Sequence, residues 1–147
     1  MKAASLLEVL IVMAIFSMLV VLTFPFSLRL VNQSKADAEA KTLAYVLFRQ
    51  QQDAYAGLEG KAYGVALYND RFVVYTGTSL ATAESSEAYY FASPIHLQGL
   101  SLSSGNEVTF SSNSFRPNTF GHFLISDSNK SYRIDINSEG LISYYGQ

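Results

Sequence analysis

The sequence predicts an α+β protein in which one long N-terminal helix is packed on an antiparallel β-sheet body that follows it. Three features of the 147 residues predict this architecture. Apolar residues occupy 21 of the first 28 positions, no glycine occurs before Gly57, and all ten tyrosines lie from Tyr45 onward. The first part therefore has the composition of an uninterrupted helix, whereas the second has the turn glycines and aromatic residues of a sheet.

The composition excludes several kinds of functional site. The chain has no cysteine, which rules out thiolate catalysis, cysteine-based zinc sites and disulfides. The two histidines, His96 and His122, lie too far apart in sequence for a short ligand motif. The formal net charge is -2, so the chain lacks the basic surface of a strong nucleic-acid binder. We therefore predict no catalytic residue, no metal ligand and no cofactor.

The N-terminal segment contains a single charged residue, Glu8, between Lys2 and Arg29. The run 9–26 is apolar apart from two hydroxyl side chains, and its 18 residues meet the lower limit for a helix that crosses a bilayer. A secretory signal peptide is disfavoured because no A-x-A-like cleavage site follows the run. A plain membrane anchor does not account for Glu8, since a carboxylate in the apolar part of a bilayer costs at least ~2.5–3.5 kcal/mol.

The order of residues around Glu8 resembles the class III leader of type IV pilins and pseudopilins. In that family a short basic leader ends in a small residue, cleavage precedes the apolar helix, and a glutamate is fifth in the mature chain. Here the leader corresponds to residues 1–3, cleavage by a prepilin peptidase falls between Ala3 and Ala4, and Glu8 takes the glutamate position. Pro25 matches a proline that is common in the family. The usual residues on either side of the cut, Gly and Phe, are both Ala here.

The resemblance implies a role for each of these residues. Cleavage creates a free α-amino group on Ala4, which is largely cationic at neutral pH and is a candidate for N-methylation. In the family the glutamate of one subunit pairs with this amine of its neighbour, so Glu8 and Pro25 are expected to serve filament assembly. Pro25 also predicts a kink or a locally melted stretch around Val21 to Pro25, because its ring removes one backbone hydrogen bond.

The helix is predicted to continue over 28–56 and to end at Gly57 and Gly60. Apolar residues recur there at spacings of three, four and seven, which predicts a stripe that lies against a sheet. The stripe comprises Ala36, Ala40, Leu43, Leu47 and Ala54, widened by Tyr45, Val46 and Phe48. The whole helix would then have about 50 residues and a length of ~75–80 Å.

Alternating apolar segments after Gly60 predict the strands of the body. They are 62–68, 71–75, 95–102, 107–111, 120–126, 131–136 and 141–145. Asn69-Asp70 predicts a hairpin turn, and the stretches 76–88 and 111–119 are predicted to be loops. The chain is thus divided into a leader (1–3), a transmembrane and assembly helix (4–28) and an extracytoplasmic domain (29–147).

Other conspicuous residues of the body are given structural roles. His96 and His122 lie on strands and are predicted to be partly exposed. Asp127 and Asp135 are expected to form cross-strand charge pairs with nearby basic residues. Core packing is favoured over subunit contacts for Tyr89, Tyr90, Tyr144 and Tyr145.

A series of weak motifs in the body resembles the minor pseudopilin branch of the GspH/FimT type, which includes the ComGD-type competence pseudopilins of Gram-positive bacteria. The matching positions are Gln51 or Gln52 near Ala54 and Ala56, then 63–65, 72–75, 108–110 and 140–142. The alanines at the predicted cleavage site and the lack of cysteine favour the competence type.

The resemblance implies a minor pseudopilin of a competence pilus for DNA uptake, held in the cell membrane by one helix and displayed in a surface filament after assembly. The implied partners are other pseudopilin subunits, a prepilin peptidase, membrane lipid, an assembly platform protein and an ATPase. A type II secretion pseudopilus or type IV pilus is the alternative machine, and a single-pass surface binding protein is the alternative class. Direct DNA contact is not expected, because only the scattered Arg116, Lys130 and Arg133 could supply it.

Overall fold

The computed structural model describes the backbone of residues 6–127 and 130–146, and the side chains in these ranges other than those of 22–34. The chain divides into two compact units, the first ending at Asn32 and the second running from Gln33 onward. A single helix, α1 (Leu6–Tyr55), contributes to both units. Its 50 residues match the predicted length.

The end of α1 is set by the predicted glycine. Gly57 adopts the left-handed conformation with φ 65°, and its N–H donates to the carbonyl of Ala54 at 3.0 Å. Glycine takes this conformation without the steric penalty of a Cβ atom, which is why it commonly closes helices. At Pro25 one of the two predicted alternatives is wrong: α1 is helical from Val21 to Pro25, so no melted stretch is present, and the kink stays a prediction. A proline removes only one helical hydrogen bond, and strong apolar helix formers flank it.

The described part of the body has eight strands and two short 3₁₀ turns, Leu58–Gly60 before the first strand and Leu80–Thr82 between the second and the third. The strands are β1 (Tyr63–Leu67), β2 (Arg71–Thr76), β3 (Ser85–Tyr90), β4 (His96–Leu102), β5 (Glu107–Phe110), β6 (Gly121–Ser126), β7 (Ser131–Ile136) and β8 (Ile142–Gly146). They form two antiparallel sheets of four strands, in the orders β3-β2-β1-β5 and β4-β6-β7-β8. The predicted hairpin at Asn69-Asp70 joins β1 to β2.

Strand β3 lies where a loop was predicted. Its six residues pair one for one with β2, from Arg71 opposite Tyr90 to Thr76 opposite Ser85. All six side chains are exposed, so the segment has no apolar alternation from which a strand could be predicted. Backbone pairing with β2 decides its structure, because strand formation depends more on neighbours than on intrinsic preference.

The predicted helix stripe forms the centre of the core. Ala36, Ala40, Leu43, Leu47 and Ala54 are fully buried, and they belong to one cluster with Val65 and Phe110 of the first sheet and Phe123 and Ile134 of the second. Two of the residues expected to widen the stripe do not: Tyr45 is 65% exposed and Phe48 is 50% exposed. At 100° per residue, Tyr45 lies on the side of α1 opposite the stripe. The sheets cover the stripe, so Tyr45 remains exposed.

The tyrosine prediction is also wrong for three of its four residues. Tyr89, Tyr90 and Tyr145 are 40%, 67% and 43% exposed, and only Tyr144 is half-buried. The first two lie on β3 and Tyr145 lies on β8, which are edge strands of the two sheets. Residues on an edge strand have fewer neighbours to cover them, so aromatic rings there remain at the surface.

Candidate functional site

The first unit presents an extensive apolar surface, which we call the apolar segment (residues 6–21). Each of its large apolar side chains is at least half exposed, from 52% at Ile11 to 81% at Leu6. The Ser17 hydroxyl donates to the carbonyl of Met13 at 2.8 Å, four residues earlier. This bond satisfies the hydroxyl within the helix, so it does not interrupt the apolar character of the surface. An exposed surface of this extent is typical of contact with apolar partners or lipid.

Glu8 stands within the apolar segment, in the first turn of α1. Val12 and Met13, one turn further along, lie beside it on the same face of the helix. The segment therefore combines a long apolar surface with one carboxyl group near its beginning.

The other residues predicted for processing and assembly are not described at the level of side chains. Ala3 and Ala4 lie outside the described residues, and for Pro25 only the helical backbone is described. Among the helices of the described part, none combines the length and the apolarity needed to cross a membrane. Cleavage between Ala3 and Ala4 and the roles of Glu8 and Pro25 in assembly stay predictions.

In the body, one buried polar side chain ties α1 to two loops. Gln51 is 4% exposed, and its Nε2 donates to the carbonyl of Phe115 at 2.8 Å and to that of Gly140 at 2.6 Å. Gly140 has a φ of 89°, and a Cβ atom there would lie 2.1 Å from the Phe115 oxygen. The sequence motif left Gln51 and Gln52 open, and the structure assigns the contact to Gln51. No sequence signal identifies the two carbonyls, because they lie 64 and 89 residues away.

A second buried network lies on the first sheet. The Tyr75 hydroxyl is 2.6 Å from Thr109 Oγ1 and donates to Glu107 Oε2 at 3.0 Å, and the backbone N–H of Leu80 donates to the same carboxylate oxygen. Burial, followed by the hydrogen bond to Glu107, raises the pKa of the Tyr75 hydroxyl well above its ordinary value. The hydroxyl therefore stays protonated at physiological pH and donates to Glu107, whose carboxylate in turn holds the second 3₁₀ turn through the N–H of Leu80.

The three basic residues considered for DNA contact are scattered in the structure as well. Arg116 pairs with Glu139 at 2.6 Å, Arg133 pairs with Asp135 at 2.9 Å, and Lys130 is exposed. Asp135 was expected to pair across two strands, but Arg133 and Asp135 both lie on β7. They meet because residues two apart on a strand share a face. The guanidinium of Arg133 lowers the pKa of the Asp135 carboxyl. Two of the three positive charges thus have a carboxylate partner.

Within the described residues, neither the two histidines nor a group of metal-binding side chains forms a further candidate site. His96 and His122 are both half-buried, as predicted for partly exposed strand residues. The described residues contain no group of three or more His, Asp or Glu side chains that could hold a metal ion. The functional features of the described chain are therefore the apolar segment with Glu8 and the surfaces of the body.

Neither a protein-family model nor a curated protein matches the sequence. Among solved structures, the fold is similar to that of the minor pseudopilin EpsH from the Type 2 Secretion System of Vibrio cholerae, with a TM-score of 0.56. The superposition covers 76% of this chain and 97% of that chain, at 12% sequence identity. The chain has a pseudopilin-like fold. This confirms the predicted α+β, pilin-like architecture of a long helix packed on antiparallel sheets.

Proposed function

We propose that this protein is a minor pseudopilin, a non-enzymatic filament subunit that assembles through its N-terminal helix. The observation that carries the proposal is a pseudopilin-like fold in which residues 6–21 of the helix expose a continuous apolar surface. Association with the helices of neighbouring subunits, or with lipid, removes this surface from water, and burial of apolar area contributes roughly 25 cal/mol per Å².

Assembly in this proposal begins with cleavage between Ala3 and Ala4 by a prepilin peptidase, and the new N-terminus is then N-methylated. The amine of Ala4 in one subunit pairs with Glu8 of its neighbour. Within a filament core both charges lie in a low-dielectric environment, where removal of one partner of a pair costs about 3–5 kcal/mol. The pair therefore sets the axial register between subunits, because other registers leave both charges buried and unpaired.

Before assembly, helix 4–28 resides in the cell membrane and the domain 29–147 lies outside the cytoplasm. An assembly platform protein and a cytoplasmic ATPase extract the subunit into the filament. Support for this arrangement comes from the sequence, in which 9–26 carries no charge and Lys2 precedes the run.

Two machines are candidates for the filament. A competence pilus that takes up DNA is favoured by the alanines at the predicted cleavage site and by the lack of cysteine. A type II secretion pseudopilus is favoured by the likeness to EpsH. Deletion of the gene distinguishes them: loss of transformation with unchanged protein secretion supports the competence pilus, and the reverse result supports secretion.

The subunit role is tested with the full-length protein in its own membrane. We expect the mature mass to lack residues 1–3 and to include one methyl group. Glu8→Gln should insert into the membrane normally yet enter sheared filaments at least about tenfold less than wild type. Met13→Leu, an apolar exchange in the same segment, is the matched control and should assemble normally. An intact N-terminus refutes processing, and normal assembly of Glu8→Gln refutes the pairing.

A further inference from the structure

We propose that the outer edge of β3 binds an extended, basic segment of a protein partner, which adds to the first sheet as a fifth strand and places a Lys or Arg side chain beside Glu87. This inference concerns the second unit alone and does not depend on the filament role of the apolar segment. It rests on the exposed strand edge, on the groove beside it and on the charges in that groove.

The edge of β3 is open to pairing. β3 is the first strand of the order β3-β2-β1-β5, and within the part of the chain that the structure describes no strand pairs with its outer side. The Phe91 N–H donates to the carbonyl of Asp70 at 3.0 Å, directly after the strand. Since hydrogen-bonding direction alternates along an antiparallel strand, the N–H and C=O groups of Ser86, Ala88 and Tyr90 point outward.

Two of the other three edge strands, β4 and β5, carry features that hinder pairing, and β3 carries none of these. The remaining edge strand, β8, has five residues and ends at Gly146. The register of β4 shifts between Gln98 and Ser101, where Gly99 adopts a φ of 60°. β5 has only four residues and is bridged at Phe110 by Pro117. Bulges, short strands and proline are the usual protection of a sheet edge against strand addition. β3 has six residues in unbroken pairing with β2 and contains neither proline nor glycine.

A groove of about 460 Å³ lies between β3 and the adjacent flank of α1. The helix lines it with Arg49, Gln50 and Asp53, and the strand lines it with Ser85 and Glu87 among others. Arg49 lies 3.7 Å from Asp53, so these two charges offset each other. Glu87 adds one negative charge to the groove, and this neighbouring carboxylate raises the pKa of the Tyr89 hydroxyl.

Gln50 supplies a second, independent indication of a ligand. Its side chain lines the groove and is only 7% exposed, and its Oε1 is buried without a hydrogen-bond partner among the described residues. A buried acceptor without a donor is rare in native proteins, because its lost hydration is not replaced. Because this oxygen has almost no contact with solvent, the Gln50 side chain must turn toward the groove before an N–H donor of a partner can satisfy it.

The chemistry of the groove selects the partner. The groove is lined by two carboxylates, of Asp53 and Glu87, against one guanidinium, of Arg49, so its charge is negative and the complementary group is a cation with N–H donors. On a strand that pairs with β3, the residue opposite Glu87 has its Cβ atom about 4.5–5.5 Å away, within reach of the groove for Lys or Arg. A second copy of β3 does not fit, since the strand carries Glu87 and no basic residue.

The test uses the full-length protein in non-ionic detergent and a fluorescent nine-residue peptide of alternating Thr and Lys. Fluorescence anisotropy should show saturable binding that weakens with salt. Glu87→Gln should weaken binding about tenfold, the typical effect of losing one charge-assisted hydrogen bond. Glu139→Gln removes the same charge from an exposed carboxylate next to β8, and this matched control should bind as the wild type does.

Strand addition is separated from simple charge attraction by the backbone of the peptide. The same peptide with alternate amides N-methylated keeps every charge but cannot pair, and we expect it not to bind. Ala88→Pro removes an outward N–H without removing a bond to β2, and should also abolish binding while the melting curve is retained. Equal binding of the methylated peptide, unchanged affinity of Glu87→Gln, or failure of the basic peptide to bind overturns the proposal. Self-association that Ala88→Pro abolishes overturns it in favour of a second copy.

Discussion

Replacement of Gln51 by leucine tests how the body holds its loops against α1. The wild-type amide donates two hydrogen bonds from Nε2, at 2.8 Å to the Phe115 carbonyl and at 2.6 Å to the Gly140 carbonyl. Leucine has a similar size and a similar helix propensity, so it keeps the packing and the helix while removing both donors. The perturbation therefore isolates the hydrogen bonds from the shape of the side chain.

The expected loss of stability follows from these two bonds. A protein hydrogen bond contributes about 0.5–1.5 kcal/mol net, so two contribute about 1–3 kcal/mol. The bond to Gly140 is buried, and a carbonyl left there without a donor adds a desolvation penalty of similar size. We expect Gln51→Leu to lower the free energy of unfolding by about 2–4 kcal/mol, which corresponds to a decrease in Tm on the order of 10 °C.

The assay is urea unfolding of the full-length protein in detergent micelles, followed by circular dichroism. Gln52→Leu is the matched control, because the neighbouring glutamine is only half-buried and lies on a different part of the helix surface. Its effect should be within about 0.5 kcal/mol of zero. Gln51→Glu adds a second readout, since its carboxylate would face two carbonyl oxygens and the variant should gain stability as the pH falls and the carboxyl becomes protonated.

The reasoning is refuted if Gln51→Leu and Gln52→Leu unfold at the same urea concentration. It is also refuted if the stability of Gln51→Glu follows the pH dependence of the wild type. Either result would mean that water replaces the amide at the two carbonyls, and that the contact does not hold the loops.

Two further predictions concern the sheets and their contact with α1. Gly64→Ala should destabilise the protein by about 1–3 kcal/mol in the same assay, because its Cβ would lie 2.5 Å from the ring of the buried Tyr75; Gly146→Ala, with 3.4 Å to the nearest atom, should be nearly neutral. Hydrogen bonds from Lys41 and from the Tyr144 hydroxyl lower the pKa of Asp37 below 3.8. Ionised Asp37 therefore contributes to the free energy of unfolding above about pH 4, and this contribution is lost as the pH falls through the lower pKa of the folded state. The variant Asp37→Asn lacks this group, so it should lose less stability than the wild type between about pH 5 and pH 2. An unchanged acid profile in that variant would contradict this assignment.

The accuracy of the sequence predictions differs between helix and sheet for a physical reason. The buried stripe of α1 was predicted correctly at Ala36, Ala40, Leu43, Leu47 and Ala54, because contacts of a helix face repeat at fixed local spacings. Tyr45 is not part of the stripe, because its angle around the helix axis places it on the opposite side of α1. An aromatic residue at the surface costs little in a folded protein, so apolar character alone does not locate the core.

Strand β3 and the Gln51 contacts were beyond prediction because both depend on partners far away in the sequence. The Ser85–Tyr90 segment forms a strand only because β2 offers it a backbone edge. Gln51 is one of three consecutive glutamines, and only the positions of the Phe115 and Gly140 carbonyls distinguish it from its neighbours. The edge of β3 and the unsatisfied Oε1 of Gln50 likewise become visible only when the sheet and helix are placed side by side.

Local sequence patterns are sufficient to predict the long helix, its buried stripe, its end at Gly57, the turn at Asn69-Asp70 and the apolar segment with its single carboxylate. These features depend on the spacing and composition of residues within short stretches of the chain, and both can be read from the sequence. The tertiary structure decided that the strands form two sheets, that β3 exists, and which glutamine is bonded. Such features arise from contacts between residues far apart in the chain, where the identity of each partner depends on how the intervening chain folds.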